Sequence, residues 1–437
     1  MRSVIVLASA AASLAIIAAC ASSEDEAPLA PGEPPPVTIP DAGHGDADDV
    51  ADVDVPDTRL PDCSSAGWCI TGFPDEDLVF RDIAPFEDVA FAIAESRTEG
   101  IKVLEWKKST NAWEYIDDGT QNNTGIGTFA GRIYAPNADE VYFTVGPSRV
   151  YHGRRSSTPG SAWTWTSQAL PDRIVGHTDE HGNPVESGSR QPIATLGVWG
   201  TGGDDVYAYY SNTIFHRDPV DGTFTPVYLA DDLEAADEHV FFTSVNGAGP
   251  DDVWFVGARA RTSTSCPLVV RKSAAGWERV ADSIVSNSAI APCAQRPGTL
   301  FIGGSGRGGW LIDIATVSTT EYVALHNKTN RGSLESVYTT TIRVTENGYS
   351  SEQSLLPVKS ASNTAPKVAT SLWRGNDETW FTAWGLVLRR TDDGTFAVSS
   401  ISRDGAPVNA PFYRIRGTSN QNLWAIGARH AYHKTTP

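Results

Sequence analysis

Positive charge is scarce in this 437-residue sequence: 34 Lys and Arg stand against 53 Asp and Glu, a formal net charge of −19. That balance argues against nucleic acid as a partner, because phosphate binding rests on a basic surface that releases counterions. Long apolar runs are equally scarce. The extended uncharged stretch from Val4 to Ala19 has 16 residues, too short and too rich in alanine for a comfortable membrane span of about 20. Catalytic signatures are also lacking. His177-Thr178-Asp179-Glu180-His181 has the order of an inverted zinc-protease motif, but that chemistry needs a helix that brings both imidazoles to one metal. Gly182-Asn183-Pro184 follows at once and makes a turn instead. The glycines between Gly303 and Gly309 lack the Gly-Lys-Ser/Thr ending and the helix of a phosphate loop. No catalytic residue, metal or cofactor is assigned from the sequence.

What is present points to strands and export. Trp 13, Tyr 13, Phe 15 and Gly 39, with a single Met, describe a chain rich in strand-forming aromatics and turn-forming glycines. Arg2 and the run after it read as a targeting segment over residues 1–19, to be kept out of the fold. It ends in Ile17-Ala18-Ala19-Cys20, which resembles the lipobox of bacterial lipoproteins. The resemblance implies cleavage before Cys20, acylation of that residue and a membrane partner reached through lipid; Ala21 rather than Asp after it favours the outer membrane. Residues 20–62 then read as an extended tether. After Cys20 they hold Pro34-Pro35-Pro36, few large apolar residues, and twelve Asp or Glu against Arg59 alone, a composition that cannot bury enough surface to offset chain entropy. Asp46, Asp48, Asp49, Asp52 and Asp54 alternate like calcium ligands, but no glycine-turned loop or closing Glu accompanies them. Without tether and leader, residues 63–437 carry −9.

Four cysteines remain, Cys63, Cys69, Cys266 and Cys293, an even number in an exported chain. Three pairings are possible; the local ones, Cys63 with Cys69 and Cys266 with Cys293, are favoured over a zinc site, which usually shows paired short spacings.

The rest of the sequence is a repeat. Gly197-Val-Trp-Gly leads to Asp204-Asp-Val-Tyr, Ser244-Val-Asn-Gly to Asp251-Asp-Val-Trp-Phe-Val-Gly, Leu372-Trp-Arg-Gly to Thr379-Trp-Phe, and Ile415-Arg-Gly to Leu423-Trp-Ala-Ile-Gly. Weaker copies occur at Asp88, Glu140 and Thr299-Leu300-Phe301-Ile302-Gly303, so that corresponding positions fall at 89, 141, 206, 253, 300, 379 and 423. Each unit alternates like a half-buried strand, turns, and alternates again. Asp221-Gly222 and Asp393-Gly394 supply the positive φ of a tight turn before a fourth strand. Four short antiparallel strands at a period near 45–50 residues predict an all-β fold, one β-propeller over 63–437. Seven blades are expected; the range is six to eight, with eight if Ser333 to Val358 hides another. The last copy lacks a fourth strand, which a segment near Cys69 to Phe73 would supply, closing the ring and removing exposed edges.

These phrases, preceded by Cys63-Ser-Ser-Ala-Gly-Trp-Cys69, look like those of the β-propeller lipoproteins of myxobacteria, whose blades resemble kelch and Asp-box repeats. The resemblance implies architecture, export and anchoring; most members have no assigned activity. The expected role is a non-enzymatic module binding a polysaccharide or an envelope protein. The alternatives are a carbohydrate-active enzyme, which requires a deep charged funnel with shifted pKa values, and a structural envelope component, which requires a broad apolar outer patch. Arg132, Arg307, Arg343 and Arg374 are scattered and read as rim residues. Trp199, Trp254, Trp373, Trp380 and Trp424 hold fixed places in the repeat and read as core between blades.

Overall fold

The structure is a computed structural model and describes residues 63–436 apart from 124–127, 147, 159–160, 171–194, 236, 262–263, 287–292, 304–307, 331–332, 359–367 and 404–405. Cys20, the leader, the tether to residue 62, His177 to His181 and Arg307 lie outside the described residues.

Seven antiparallel sheets of four strands make up the described chain, with two short two-stranded ribbons and one 3₁₀ turn at Thr120–Asn123. Six sheets use consecutive strands, starting from inner strands Val79–Pro85, Ala130–Asn137, Leu196–Gly202, His239–Gly249, Gly308–Ser318 and Ala369–Arg374. The seventh combines Phe412–Ser419, Asn422–Gly427 and His430–Lys434 with Trp68–Ile70 from the other end of the domain. Adjacent inner strands touch around a complete ring, the last meeting the first. This is a seven-bladed β-propeller, with blades numbered here in the order of their inner strands.

Second strands such as Asn422–Gly427 are buried along their whole length, whereas an outermost strand such as Gly348–Leu355 is half-buried or exposed throughout. The difference follows from position: a second strand is covered on both faces by neighbouring blades, so it reads as a continuous apolar run. Seven large apolar clusters result, each shared by two adjacent blades. Trp254, Trp380 and Trp424 are buried in three of them, and Trp199 and Trp373 are half-buried against two. Burying one such ring contributes about 1.5–3 kcal/mol.

The first residue of the second strand is polar in six blades, Glu140, Asp205, Asp252, Glu321, Glu378 and Asn422, and is Val89 in blade 1. Each polar one grips a basic side chain on the third strand: His152 at 2.8 Å, His216 at 3.0 Å, Arg271 at 3.0 Å, Arg343 at 2.8 Å, Arg389 at 3.0 Å and His433 at 2.8 Å. The aromatic two residues on then stacks on that partner, Tyr142 on His152 at 4.3 Å and Trp424 on His433 at 4.1 Å. The recurring Asp-Asp-Val-Trp phrase is therefore a register clasp between strands; a one-residue slip would reverse every side chain. The Asp-Gly turns also form, with Gly222 and Gly394 at φ +79° and +86°. Asp221 and Asp393 accept from the Thr223 and Thr395 amides at 2.8 and 2.9 Å.

One repeat copy is corrected. Thr299 to Gly303 is not a second strand: Leu300 makes only an isolated bridge to Ala281. The second strand of blade 5 is Glu321–Asn330, and Ser333 to Val358 supplies its third and fourth strands, Ser333–Thr345 and Gly348–Leu355, rather than an eighth blade. The stretch between blades 4 and 5 is an insertion whose ribbon, Ser283–Val285 with Cys293–Gln295, is tied to blade 4 by the Cys266–Cys293 disulfide. Beside it the buried Arg259 bonds Asp282 through Nε at 2.9 Å and Nη2 at 2.8 Å, and Glu238 through Nη1 at 2.6 Å.

Closure is by the donated strand. Trp68, Cys69 and Ile70 pair with Lys434, His433 and Tyr432, and the Cys63–Cys69 disulfide closes the loop before it. Thr71 donates to the Ala431 carbonyl at 3.0 Å and accepts from Trp113 of blade 1 at 2.9 Å. Replacing Cys63 and Cys69 by Ser is expected to cost on the order of 2 kcal/mol. It should appear first as faster hydrogen exchange at Trp68–Ile70; unchanged exchange there would mean that strand pairing alone holds the ring.

Candidate functional site

The inner strands break register at equivalent places in six blades: between Phe80 and Asp82, Ala130 and Ile133, Phe242 and Ser244, Leu311 and Asp313, Ala369 and Ser371, and Phe412 and Arg414. A bulge adds a residue and re-aims its side chain. The skipped residues Arg81, Arg132, Thr243, Ile312, Thr370 and Tyr413 accordingly all line one recess of about 370 Å³ at the mouth of the central channel. Phe129, Leu196, Tyr209, Trp310, Val368 and Arg414 complete most of its wall. Two of the bulge hydroxyls stitch the ring, Thr243 donating to the Leu311 carbonyl and Thr370 to the Phe412 carbonyl, both at 2.6 Å.

Next to the recess the inner strands hold a cluster of charges. Asp313 is fully buried and accepts from Ser244 at 2.7 Å, Ser371 at 2.8 Å, the Leu372 amide at 3.1 Å, and both Nη atoms of Arg416 at 3.0 and 3.2 Å. Arg414 bridges the two carboxylates, its Nε 3.4 Å from Asp82 and its Nη1 3.5 Å from Asp313. Asp82 also accepts the Ile133 amide of the next blade at 3.2 Å. Burial acts on both acids and tends to raise them, but the outcomes differ. Asp313 ends below its ordinary value because Arg416 and the hydroxyls favour its anion. Asp82 stays raised because burial outweighs the charges of Arg132 and Arg416. Neither carboxylate lines the recess; both are held in the ring's own bonds.

Of the arginines singled out by sequence, Arg132 is corrected from rim to lumen. Arg343 and Arg374 are blade residues, paired with Glu321 and Glu352 and with Asp392. Asp82, Asp313, Arg414 and Arg416 were missed. The available signal was a charge inside an apolar strand, as in Leu311-Ile312-Asp313-Ile314, a pattern that ordinarily means a buried partner. The recess carries arginines, but the carboxylates with shifted pKa values, Asp82 and Asp313, do not line it.

Comparison with known proteins supports the fold and nothing finer. No protein-family model and no curated protein matches the sequence. Among solved structures, YCF48 bound to D1 peptide is similar at a TM-score of 0.51 and 12% identity, covering 86% of this chain and 98% of that one. The WD40 β-propeller domain of Doa1 is similar at 0.47 and 10%, covering 84% and 96%.

Proposed function

We propose that this chain is an exported lipoprotein of the myxobacterial β-propeller type, held by acylated Cys20 and a tether over 20–62, whose propeller binds a peptide segment of a protein partner at the channel mouth. The carrying observation is the recess itself: bulges in six blades turn side chains into it, and apolar side chains such as Phe129, Trp310 and Val368 make up much of its wall. Val368 on its wall is exposed, and Phe129 and Trp310 add aromatic surface to the same wall. Aromatics in a pocket are common anchors of protein recognition. The YCF48 propeller holds a peptide, the same class of ligand as proposed here.

Two measurements test this. Full-length protein carrying Cys20→Ser should move from the membrane to the soluble fraction of cells; continued membrane association would refute the anchor. The same soluble protein is expected to retain members of a peptide array, with retention falling at least tenfold in Trp310→Ala. Retention on a glycan array alone would replace the partner with a polysaccharide.

A further inference from the structure

The lumen does not balance its charges. Three guanidiniums, Arg132, Arg414 and Arg416, stand over two carboxylates, Asp82 and Asp313, and the ion pairs account for only two of the arginines. The fourth arginine at the mouth, Arg81, is satisfied elsewhere: its Nε and Nη2 bond Glu95 at 2.8 and 2.5 Å, and it stacks over Tyr413 at 5.0 Å. Arg132 differs from all of these. Its Nη2 donates to the Thr243 carbonyl at 3.3 Å, the Tyr209 hydroxyl lies within its reach, and among the described residues no carboxylate pairs with it. It nevertheless lines the recess. A half-buried cation that feels the charges of Asp82 and Asp313 only from beyond ion-pair distance, inside a domain whose formal charge is −9, is a mismatch that the fold does not itself resolve.

We infer that the recess is a carboxylate-binding site, in which the carboxylate of a bound peptide, either its chain terminus or an Asp or Glu side chain, pairs with Arg132. Three features fit that chemistry. The guanidinium presents paired donors that match the two oxygens of a carboxylate. Neither inner carboxylate, Asp82 nor Asp313, lines the recess to compete for the guanidinium. Phe129, Trp310, Ile312 and Val368 offer apolar contact to the residues beside the bound carboxylate. Arg414, on the same wall, adds a second positive charge whose own carboxylates are Asp82 and Asp313. Steering matters as well: on an acidic protein, arginines at the mouth attract anionic groups to it.

This inference rests on the peptide reading above, and the test separates the two. Unlipidated full-length protein (Cys20→Ser) and its Arg132→Gln and Arg132→Lys variants are titrated with array-selected peptides as free acids, as C-terminal amides, and with Asp and Glu changed to Asn and Gln. Glutarate serves as a small carboxylate probe in thermal-shift and NMR titrations. One of the two neutralised peptide forms is expected to bind at least tenfold more weakly, identifying whether terminus or side chain is read. Arg132→Gln should lose the same factor, and Arg132→Lys should fall between. Equal binding of all peptide forms would overturn the carboxylate while leaving the peptide partner standing. Glutarate stabilising the parent protein but not Arg132→Gln, with no peptide bound, would keep the site and overturn the peptide. No effect of any probe would overturn both. The peptide-chemistry arms need no variant, so a folding defect in Arg132→Gln cannot mask the answer.

Discussion

Asp313→Ala is expected to lower the unfolding free energy by about 3–5 kcal/mol, the usual cost of removing one partner from a buried ion pair. The carboxylate joins four blades at once: it belongs to blade 5 and accepts from Ser244 of blade 4, Ser371 and Leu372 of blade 6, and Arg416 of blade 7. Its loss leaves the half-buried Arg416 with neutral acceptors only, namely the Leu372 and Ile415 carbonyls and the Ser371 hydroxyl. It also leaves a second arginine without an ion pair, beside Arg132. Most of the penalty is that stranded cation rather than the lost bonds, so the double variant Asp313→Leu with Arg416→Met should recover a large part of it. Urea unfolding of the two proteins measures the difference. A loss below about 1 kcal/mol in Asp313→Ala would show that the charged cluster is not what secures the inner ring.

Acid is expected to destabilise the domain well above the carboxylate range, between about pH 6.5 and 4. Two buried histidines cause this. His326 is fully buried; burial first, and the nearby Lys328 charge second, push it down to about 3, while Gln353 donates to its Nδ1 at 2.9 Å. His433 lies between Trp106 and Trp424, and burial with the Lys108 charge lowers it to about 4. Both are neutral in the folded state and take up a proton on unfolding once the pH falls below the ordinary histidine value. The unfolded state therefore binds more protons, and stability falls with pH by about 1.4 kcal/mol per unit for each histidine at full effect. Lowered carboxylates such as Asp232, at about 2, and Asp313 contribute loss only below the ordinary Asp value. Asp82, being raised, acts in the opposite sense and softens the acid end. Unfolding midpoints measured from pH 7 to 4.5 should fall steadily, and the slope should flatten in His326→Asn. A flat profile for the parent protein would contradict the burial of both rings.

Much of the architecture is short-range, and such features can be read along the chain. The Asp-Asp-Val-Trp clasp, the Asp-Gly turns and the strand alternation each depend on residues a few positions apart. Seven blades and the donated strand near Cys69 followed from them, and the two local cysteine pairs from an even count of cysteines. Blade 5 was hidden for a specific reason. Its second strand, Glu-Tyr-Val-Ala-Leu-His-Asn-Lys-Thr-Asn, looks polar, because His326 and Asn327 are buried by partners that other elements supply, Gln353 and the Ala369 carbonyl. Thr299 to Gly303 meanwhile imitates the repeat with apolar residues that serve an insertion.

The mouth of the channel was decided by tertiary structure alone. Asp313 and Arg416 are 103 residues apart, and Asp82 meets Arg414 only because the last inner strand closes on the first. The sequence by itself determined how each blade is made, since strand, turn and clasp are local choices. Which charges pair, and which arginine is left without an ion-pair partner, depends on a ring that brings seven distant strands to one axis, and that convergence has no trace in the spacing of residues along the chain.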